Sequence, residues 1–331
     1  MVSTGINGFG RFGLHLLKYW LDHRKSANFS IDFINDDFLS PQAAHAIIIN
    51  DRFVKITENH TVIINGDTIS FIDSTGFECS IPFSNTDKEQ IPWRGKPQFL
   101  LECSGKYCNA ELNQEYLEGE TGKIIISATV ADADQTLIFG FNHQDYNPKA
   151  KIYSYGSCII NAFIPLTDWI NQQCQIQDCD TTIIHSIPEY KLLKPSHTAP
   201  QRRSCSLEWM GPKLLNYINS DNFTVLKTYI PYPGISMIDM RYHLTQTPDM
   251  ETFKSNLEQA FASGPLKTLY RFEQPNQSPE LHLNSTYSAI LRHAGMRFVG
   301  ANLYISCYFD NENSVNRYYD LVNFIAKQPS K

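Results

Sequence analysis

The feature that most constrains this fold is a hexapeptide near the start of the chain, Gly8-Phe9-Gly10-Arg11-Phe12-Gly13. It is a G-x-G-x-x-G that follows a short apolar run and opens an amphipathic helix over 12–23. Glycines at this spacing permit a tight turn. They also bring backbone N–H groups and the positive end of a helix against an anion such as a pyrophosphate. Alone, the pattern also fits a glycine-rich turn that holds nothing. The context favours a dinucleotide: a second predicted strand, 29–34, runs into Asn35-Asp36. An acidic residue at that strand end is placed to bond the adenosine ribose 2′-hydroxyl, which favours NAD over NADP.

Further strands are predicted at 61–64, 68–72, 98–101, 123–126 and 136–139, and a second helix at 41–49. Strands interleaved with crossover helices specify a mostly parallel α/β sheet. The second half reads differently. Strand-like runs at 181–184, 224–230, 235–244 and 298–308, with helices at 249–263 and 315–327, predict an α+β domain with a mainly antiparallel sheet. Its boundary falls near 150–157. The stretch 192–206 is polar, basic and proline-containing, and reads as a long loop or flap.

The chain has 331 residues, enough for two such domains, with 42 % apolar and 19 % charged residues. A net charge of −6 leaves no basic footprint for nucleic acid or an anionic membrane, so neither is expected as a partner. No apolar run approaches the roughly 18 residues needed to span a bilayer. The N-terminus has neither the basic nor the apolar region of a signal peptide. The eight cysteines include no C-x-x-C, and the spacings of Cys103/Cys108 and Cys174/Cys179 fit no common zinc site. A reduced, cytoplasmic protein without a metal is expected.

Two further segments carry chemistry. In Tyr155-Gly156-Ser157-Cys158-Ile159-Ile160-Asn161-Ala162, followed by an apolar helix through Ile170, Ser157 suits an N-cap and places Cys158 in the first turn. The positive helix end lowers a thiol pKa, and the thiolate is the nucleophile. A buried, inert cysteine is the competing reading. Thr181-Thr182-Ile183-Ile184-His185-Ser186 is a strand ending in histidine. A helix followed by a return strand can bring His185 beside Cys158, as a base and then as an oxyanion partner.

Gly5-Ile6-Asn7-Gly8-Phe9-Gly10-Arg11-Phe12-Gly13 is similar to the opening signature of the glyceraldehyde-3-phosphate dehydrogenases. Further segments resemble that family in the same order: Ile34-Asn35-Asp36, Glu102-Cys103-Ser104-Gly105, Ile125-Ile126-Ser127-Ala128, Gly140-Phe141-Asn142-His143, Ser157-Cys158 with Asn161, the strand to Ser186, and Asp310-Asn311-Glu312. The resemblance implies an NAD-binding Rossmann domain over 1–156, with a C-terminal helix at about 315–331 returning to it, and a catalytic domain over 157–314. It implies oxidation of an aldehyde through a thioester on Cys158, with His185 as base. Gly8, Phe9, Gly10, Arg11, Phe12 and Gly13, with Asp36, Ser104, Gly105 and Ser127, would line the cofactor cleft. Asn311 would contact the nicotinamide carboxamide. A homotetramer is implied as well.

The departures fall on the family's two anion pockets. Two threonines after the nucleophile are here Ile159 and Ile160, and two after the histidine are Pro188 and Tyr190. An arginine is Tyr229, the second cysteine is Ala162, and the S-T-G-A-A-K loop is replaced by Trp209-Met210-Gly211-Pro212-Lys213. Isoleucine and proline offer a phosphate no donor. Ser157 and Arg203 remain as anion contacts. Two functions therefore stand open: an aldehyde dehydrogenase with eroded phosphate pockets, or an NAD-binding regulatory relative with little turnover.

Overall fold

A computed structural model describes residues 1–187, 201–232 and 234–329, with the side chain of Asn311 excepted. The chain forms two compact units, Met1–Gly156 with Val315–Lys331, and Ser157–Ser314.

The first unit is built on β1 (Val2–Asn7), β2 (Phe29–Asn35), β3 (His60–Asn65), β4 (Thr68–Asp73), β5 (Glu78–Ser84), β6 (Phe99–Glu102), β7 (Lys123–Ile126), β8 (Gln135–Thr136) and β9 (Ile152–Ser154). Their order is β3-β4-β5-β2-β1-β6-β7-β9-β8. The strands from β5 to β8 in that order pair in parallel, while β3-β4 and β4-β5 are antiparallel. The chain leaves β1 for β2 on one side and reaches β6 on the other. This reversal of winding direction opens a crevice at the carboxyl ends of the strands. Asn7 pairs with both Asn35 and Glu102, so three strand ends finish level. Their side chains form a buried polar line: Asn35 Nδ2 donates to Asn7 Oδ1 at 3.0 Å, and Asn7 Nδ2 to Glu102 Oε2 at 2.7 Å. Lys88, as buried as Glu102, closes the line with an ion pair at 3.0 Å.

Helix α1 (Arg11–His23) buries Leu14, Leu16, Leu17, Trp20 and Leu21, the stripe expected of an amphipathic helix against a sheet. Helix α2 (Pro41–Asn50) starts at a Ser40 cap, with proline at its first position. The far end of the chain packs here too. The Tyr318 hydroxyl donates to the Ile125 carbonyl at 2.7 Å, and its ring meets Phe12 and Tyr155 edge-on.

The second unit holds β10 (Ile176–Ser186), β11 (Phe223–Ile230), β12 (Ser236–Leu244), β13 (Tyr270–Phe272), β14 (Ala289–Leu291), β15 (Arg297–Val299) and β16 (Asn302–Phe309). Its helices are α3 (Cys158–Cys174), α4 (Ser206–Leu214) and α5 (Met250–Ala262); α6 (Asn311–Lys327) begins here and continues into the first unit. The sheet order is β11-β10-β12-β16-β14-β13, with β15 on β16. Its centre is antiparallel, but β11 runs parallel to β10 and β13 parallel to β14. On β12 every second residue is buried, from Ser236 to Leu244. Tyr242 of that face stacks on Phe163 of α3 and bonds Thr167 at 2.8 Å.

Several elements differ from the sequence reading. The strand expected over 136–139 stops at Thr136, because the Asn142 side chain takes the Ile138 N–H at 2.7 Å and ends the ladder. The single strand expected over 298–308 is a hairpin turning at Gly300, where φ is +58°. Trp209–Lys213 lies within helix α4, not in a loop. The flap at 192–206 lies mostly outside the described residues, as do Pro188 and Tyr190.

Candidate active site

In the first unit the glycine loop joins β1 to α1. Gly8 has φ +96°, and a Cβ there would fall 2.3 Å from the Ser104 nitrogen. A Cβ on Gly13 would fall 2.4 Å from the Gly8 carbonyl oxygen. Both glycines are therefore required by close backbone approach. Gly10 caps α1 without a side-chain bond, and nothing lies within 4 Å of where its Cβ would be. An uncapped helix end beside open space suits a pyrophosphate.

Asp36 lies beside this loop. Its Oδ2 accepts from Phe9 N at 2.6 Å, and its Oδ1 from Phe38 N and Leu39 N at 2.9 and 2.8 Å. The carboxylate thus ties the end of β2 to the glycine loop and keeps lone-pair capacity on Oδ2 for a hydroxyl. The remaining candidates of this unit serve the scaffold. Phe9 is buried edge-on to Phe83, and Phe12 meets Tyr155 and Tyr318. Arg11 forms an ion pair with Asp51. Ser104 turns back to donate to Glu102 Oε1 at 2.5 Å, and Gly105 follows with φ +69°. Ser127 N donates to the Glu102 carbonyl at 2.9 Å. The Asn311 side chain is outside the described residues.

In the second unit Ser157 caps α3, its hydroxyl accepting from Ile160 N at 3.4 Å, and Cys158 follows as the first helical residue. The Cys158 sulfur is 3.7 Å from His185 Nε2. His185 Nδ1 lies 2.5 Å from the Ser186 carbonyl oxygen. A carbonyl can only accept, so Nδ1 carries the ring proton. Nε2 then presents its lone pair to the thiol, the orientation a base needs. The imidazole is held edge-on by Tyr229 at 5.9 Å and Phe309 at 5.7 Å. Tyr229 reaches it because β11 runs parallel to β10 and pairs Tyr229 with His185.

The electrostatics differ from the expectation of a lowered thiol pKa. Cys158 is 8 % exposed, and burial pushes its thiol up to about 12. The Lys227 charge and the Ile159 N–H pull it down by less. The desolvation of a buried thiolate outweighs the helix end and its cation. At rest the thiol is therefore protonated. Ile159 and Ile160 are buried apolar neighbours.

Arg203 and Lys227 both lie over the Tyr229 ring, at 5.4 and 5.2 Å from its centroid, and Arg203 N donates to the Lys227 carbonyl at 2.8 Å. Lys227 is absent from the sequence reading. Its signal is the spacing Lys227-x-Tyr229 on a strand, which puts both side chains on one face. Ser157 Oγ is 3.5 Å from Ser206 Oγ at the start of α4, which brings the two helix ends together. Arg202 pairs with Glu208 at 3.3 Å. The geometry thus gathers Ser157, Cys158, His185 and Arg203 in one unit, and the glycine loop, Asp36 and Ser104 in the other.

Among the described residues no cluster of His, Cys, Asp or Glu could hold a metal ion, and no helix is long and apolar enough to cross a membrane.

No family model matches the chain. It is similar over nearly its whole length to curated proteins named glyceraldehyde-3-phosphate dehydrogenase. One from Podospora anserina is 25 % identical, covering 98 % of both chains. One from Ogataea parapolymorpha is 27 % identical, again covering 98 % of both. Glyceraldehyde-3-phosphate dehydrogenase 2 of Drosophila melanogaster is 26 % identical, covering 99 % of this chain and 100 % of its own. The resemblance read from the motifs therefore extends end to end.

Proposed function

We propose that this chain, a divergent relative of the glyceraldehyde-3-phosphate dehydrogenases, is an NAD-dependent oxidoreductase that oxidises an aldehyde through a thioester on Cys158. The observation that carries this reading is the Cys158–His185 pair at 3.7 Å, with Nδ1 fixed on Ser186 so that Nε2 faces the sulfur. As the sulfur adds to the aldehyde carbon, its proton passes to Nε2. The imidazolium so formed is stabilised by the Ser186 carbonyl at Nδ1, and it can donate to the developing oxyanion. NAD, when bound, accepts the hydride from the hemithioacetal carbon. The uncapped helix at Gly10 and the positions denied a side chain at Gly8 and Gly13 fit the cofactor's pyrophosphate, and Asp36 fits its ribose. Loss of the hydride frees the hemithioacetal hydroxyl proton, which returns to His185 Nε2. Once that proton has passed to solvent, the neutral imidazole can take one from the nucleophile that releases the thioester.

Phosphate is a poor candidate for that nucleophile here. Ile159 and Ile160 supply no hydrogen-bond donors from their side chains, and Tyr229 stands where the resemblance expects an arginine. A hydrogen bond to a charged group contributes about 1.5–3 kcal/mol, so losing two weakens phosphate binding on the order of a hundred-fold or more. Glyceraldehyde 3-phosphate is accordingly expected to be a weak substrate. Mixing enzyme, NAD and a panel of phosphorylated and unphosphorylated aldehydes, with and without inorganic phosphate, tests this. A stoichiometric NADH burst that phosphate barely accelerates is expected. Strong phosphate-dependent turnover of glyceraldehyde 3-phosphate would overturn the eroded-pocket reading.

A second reading, an NAD-binding regulatory protein with little turnover, is favoured by the raised pKa of the Cys158 thiol. It predicts cofactor binding without any burst.

A further inference from the structure

We infer that Lys227 reads the charge of the substrate, and that the aldehyde taken by this site carries a carboxylate. The inference rests on the reading of Cys158 as the nucleophile.

Lys227 and Tyr229 are alternate residues of β11 and leave the strand on one face. The Lys227 ammonium lies 5.2 Å over the Tyr229 ring, and that ring lies 5.9 Å from His185. His185 in turn reaches Cys158 at 3.7 Å. The cation therefore stands one aromatic ring away from the thiol–imidazole pair. Its charge is also felt at the thiols: it is the largest charge effect lowering the pKa of Cys158, and it lowers that of Cys205.

Lys227 is half-buried, yet its ammonium makes no hydrogen bond and no ion pair among the described residues. Two arginines of this unit have carboxylate partners. Arg202 pairs with Glu208, and Arg241 with Asp178 and Asp180. Arg203, the second cation on Tyr229, has both Nη atoms 2.6 and 2.7 Å from the Gln201 side-chain amide, whose oxygen accepts from them once the amide is turned to face them. An ammonium has three donors, and a ring face satisfies none of them as a lone pair would. A partly desolvated cation of this kind attracts an anion more strongly than an exposed one.

The kind of anion follows from the surroundings. A phosphate dianion presents three oxygens and needs several charge-assisted donors. Ile159 and Ile160, directly after the nucleophile, are buried and apolar. A carboxylate carries one charge on two oxygens, which a single ammonium can neutralise.

Alkylation kinetics test this without relying on dehydrogenase activity. The rates at which iodoacetate and iodoacetamide modify Cys158 are measured by peptide mass spectrometry and normalised to a free thiol in solution. The expected result is a normalised iodoacetate:iodoacetamide ratio about tenfold above one, since the two reagents differ in their carboxylate. Lys227→Met should bring the ratio close to one, and Lys227→Arg should keep it raised. A change in thiolate fraction alone slows both reagents equally and leaves the ratio untouched, so an unchanged ratio in Lys227→Met overturns the inference. Propionate should protect Cys158 from iodoacetate at lower concentration than inorganic phosphate. Better protection by phosphate would overturn the carboxylate assignment. Failure of both reagents to modify Cys158 in the unmutated protein would instead overturn the nucleophile reading, and this inference with it.

Discussion

The Tyr270 hydroxyl donates toward the Asn161 carbonyl oxygen, 3.0 Å away, and Asn161 is the residue whose carbonyl Pro165 leaves without a helical partner. The same hydroxyl accepts from Leu166 N at 3.2 Å. A proline is thus tolerated inside the helix that carries the nucleophile because a side chain from β13 fills the gap in its ladder.

Tyr270→Phe should destabilise the protein by roughly 1–3 kcal/mol, the cost of a buried acceptor left unpaired. Adding Pro165→Ala should return part of that loss by restoring the backbone bond. Denaturant unfolding of the four combinations measures the coupling, and strictly additive effects would contradict this account.

Cys158 should be alkylated by iodoacetamide at a rate that keeps rising from pH 7 to pH 10 without a plateau, because burial holds the thiol near 12. His185→Ala should slow the reaction at pH 7 by about tenfold or more, since the base that takes the proton is gone. A plateau below pH 8 would show a thiolate already formed at neutral pH.

Asp36→Ala should narrow the preference for NAD over NADP, as seen by titration of both cofactors. It should also loosen the glycine loop, because the carboxylate bonds Phe9 N, Phe38 N and Leu39 N. Equal affinity of the unmutated protein for both cofactors would sink the ribose assignment.

His15 is buried in α1, and its Nε2 lies 2.9 Å from an Arg11 nitrogen. Burial first, then the Arg11 charge, lowers its pKa to about 3 from an ordinary 6.5. The unfolded chain therefore binds a proton that the folded chain refuses between these values. The resulting stability is fully present above pH 6.5 and is lost as the pH falls toward 3. Going from pH 6.5 to 5 should cost roughly 2 kcal/mol. Unfolding measured at both values should show a shallower loss in His15→Gln, and an identical slope would refute the assignment.

The strongly periodic elements were legible because their apolar pattern matches one buried face. The G-x-G-x-x-G loop, the strand into Asp36 and the helix over Met250–Ala262 all reduce to local signals. Strand β5 was not legible: its exposed positions Glu78, Ser80 and Pro82 alternate with the inward Cys79, Ile81 and Phe83, but a proline within the run and few β-branched residues hide that alternation. Helix α4 was hidden by Gly211 and Pro212, which read as turn residues until Leu207 and Met210 are seen to be buried. The pairing of Cys158 with His185 was anticipated from helix-and-return-strand reasoning. The cations over Tyr229 were not, because they depend on which strand lies beside β10, and burial of the thiol stood only as the competing reading.

That neighbour has a temporal consequence. Parallel strands cannot be joined by a tight turn, so β10 and β11 meet only after the long intervening segment, including α4, has been made and folded back. Cys158 and His185 leave the ribosome well before Tyr229 and Lys227 do. A nascent chain therefore carries its thiol and its base before the ring and the cation that confine them. Because side chains alternate along a strand, a slip of one residue between β10 and β11 would turn Tyr229 and Lys227 to the opposite face together. Maturation of this centre is thus tied to late, register-sensitive sheet closure, and slow-folding variants should accumulate a thiol open to indiscriminate modification.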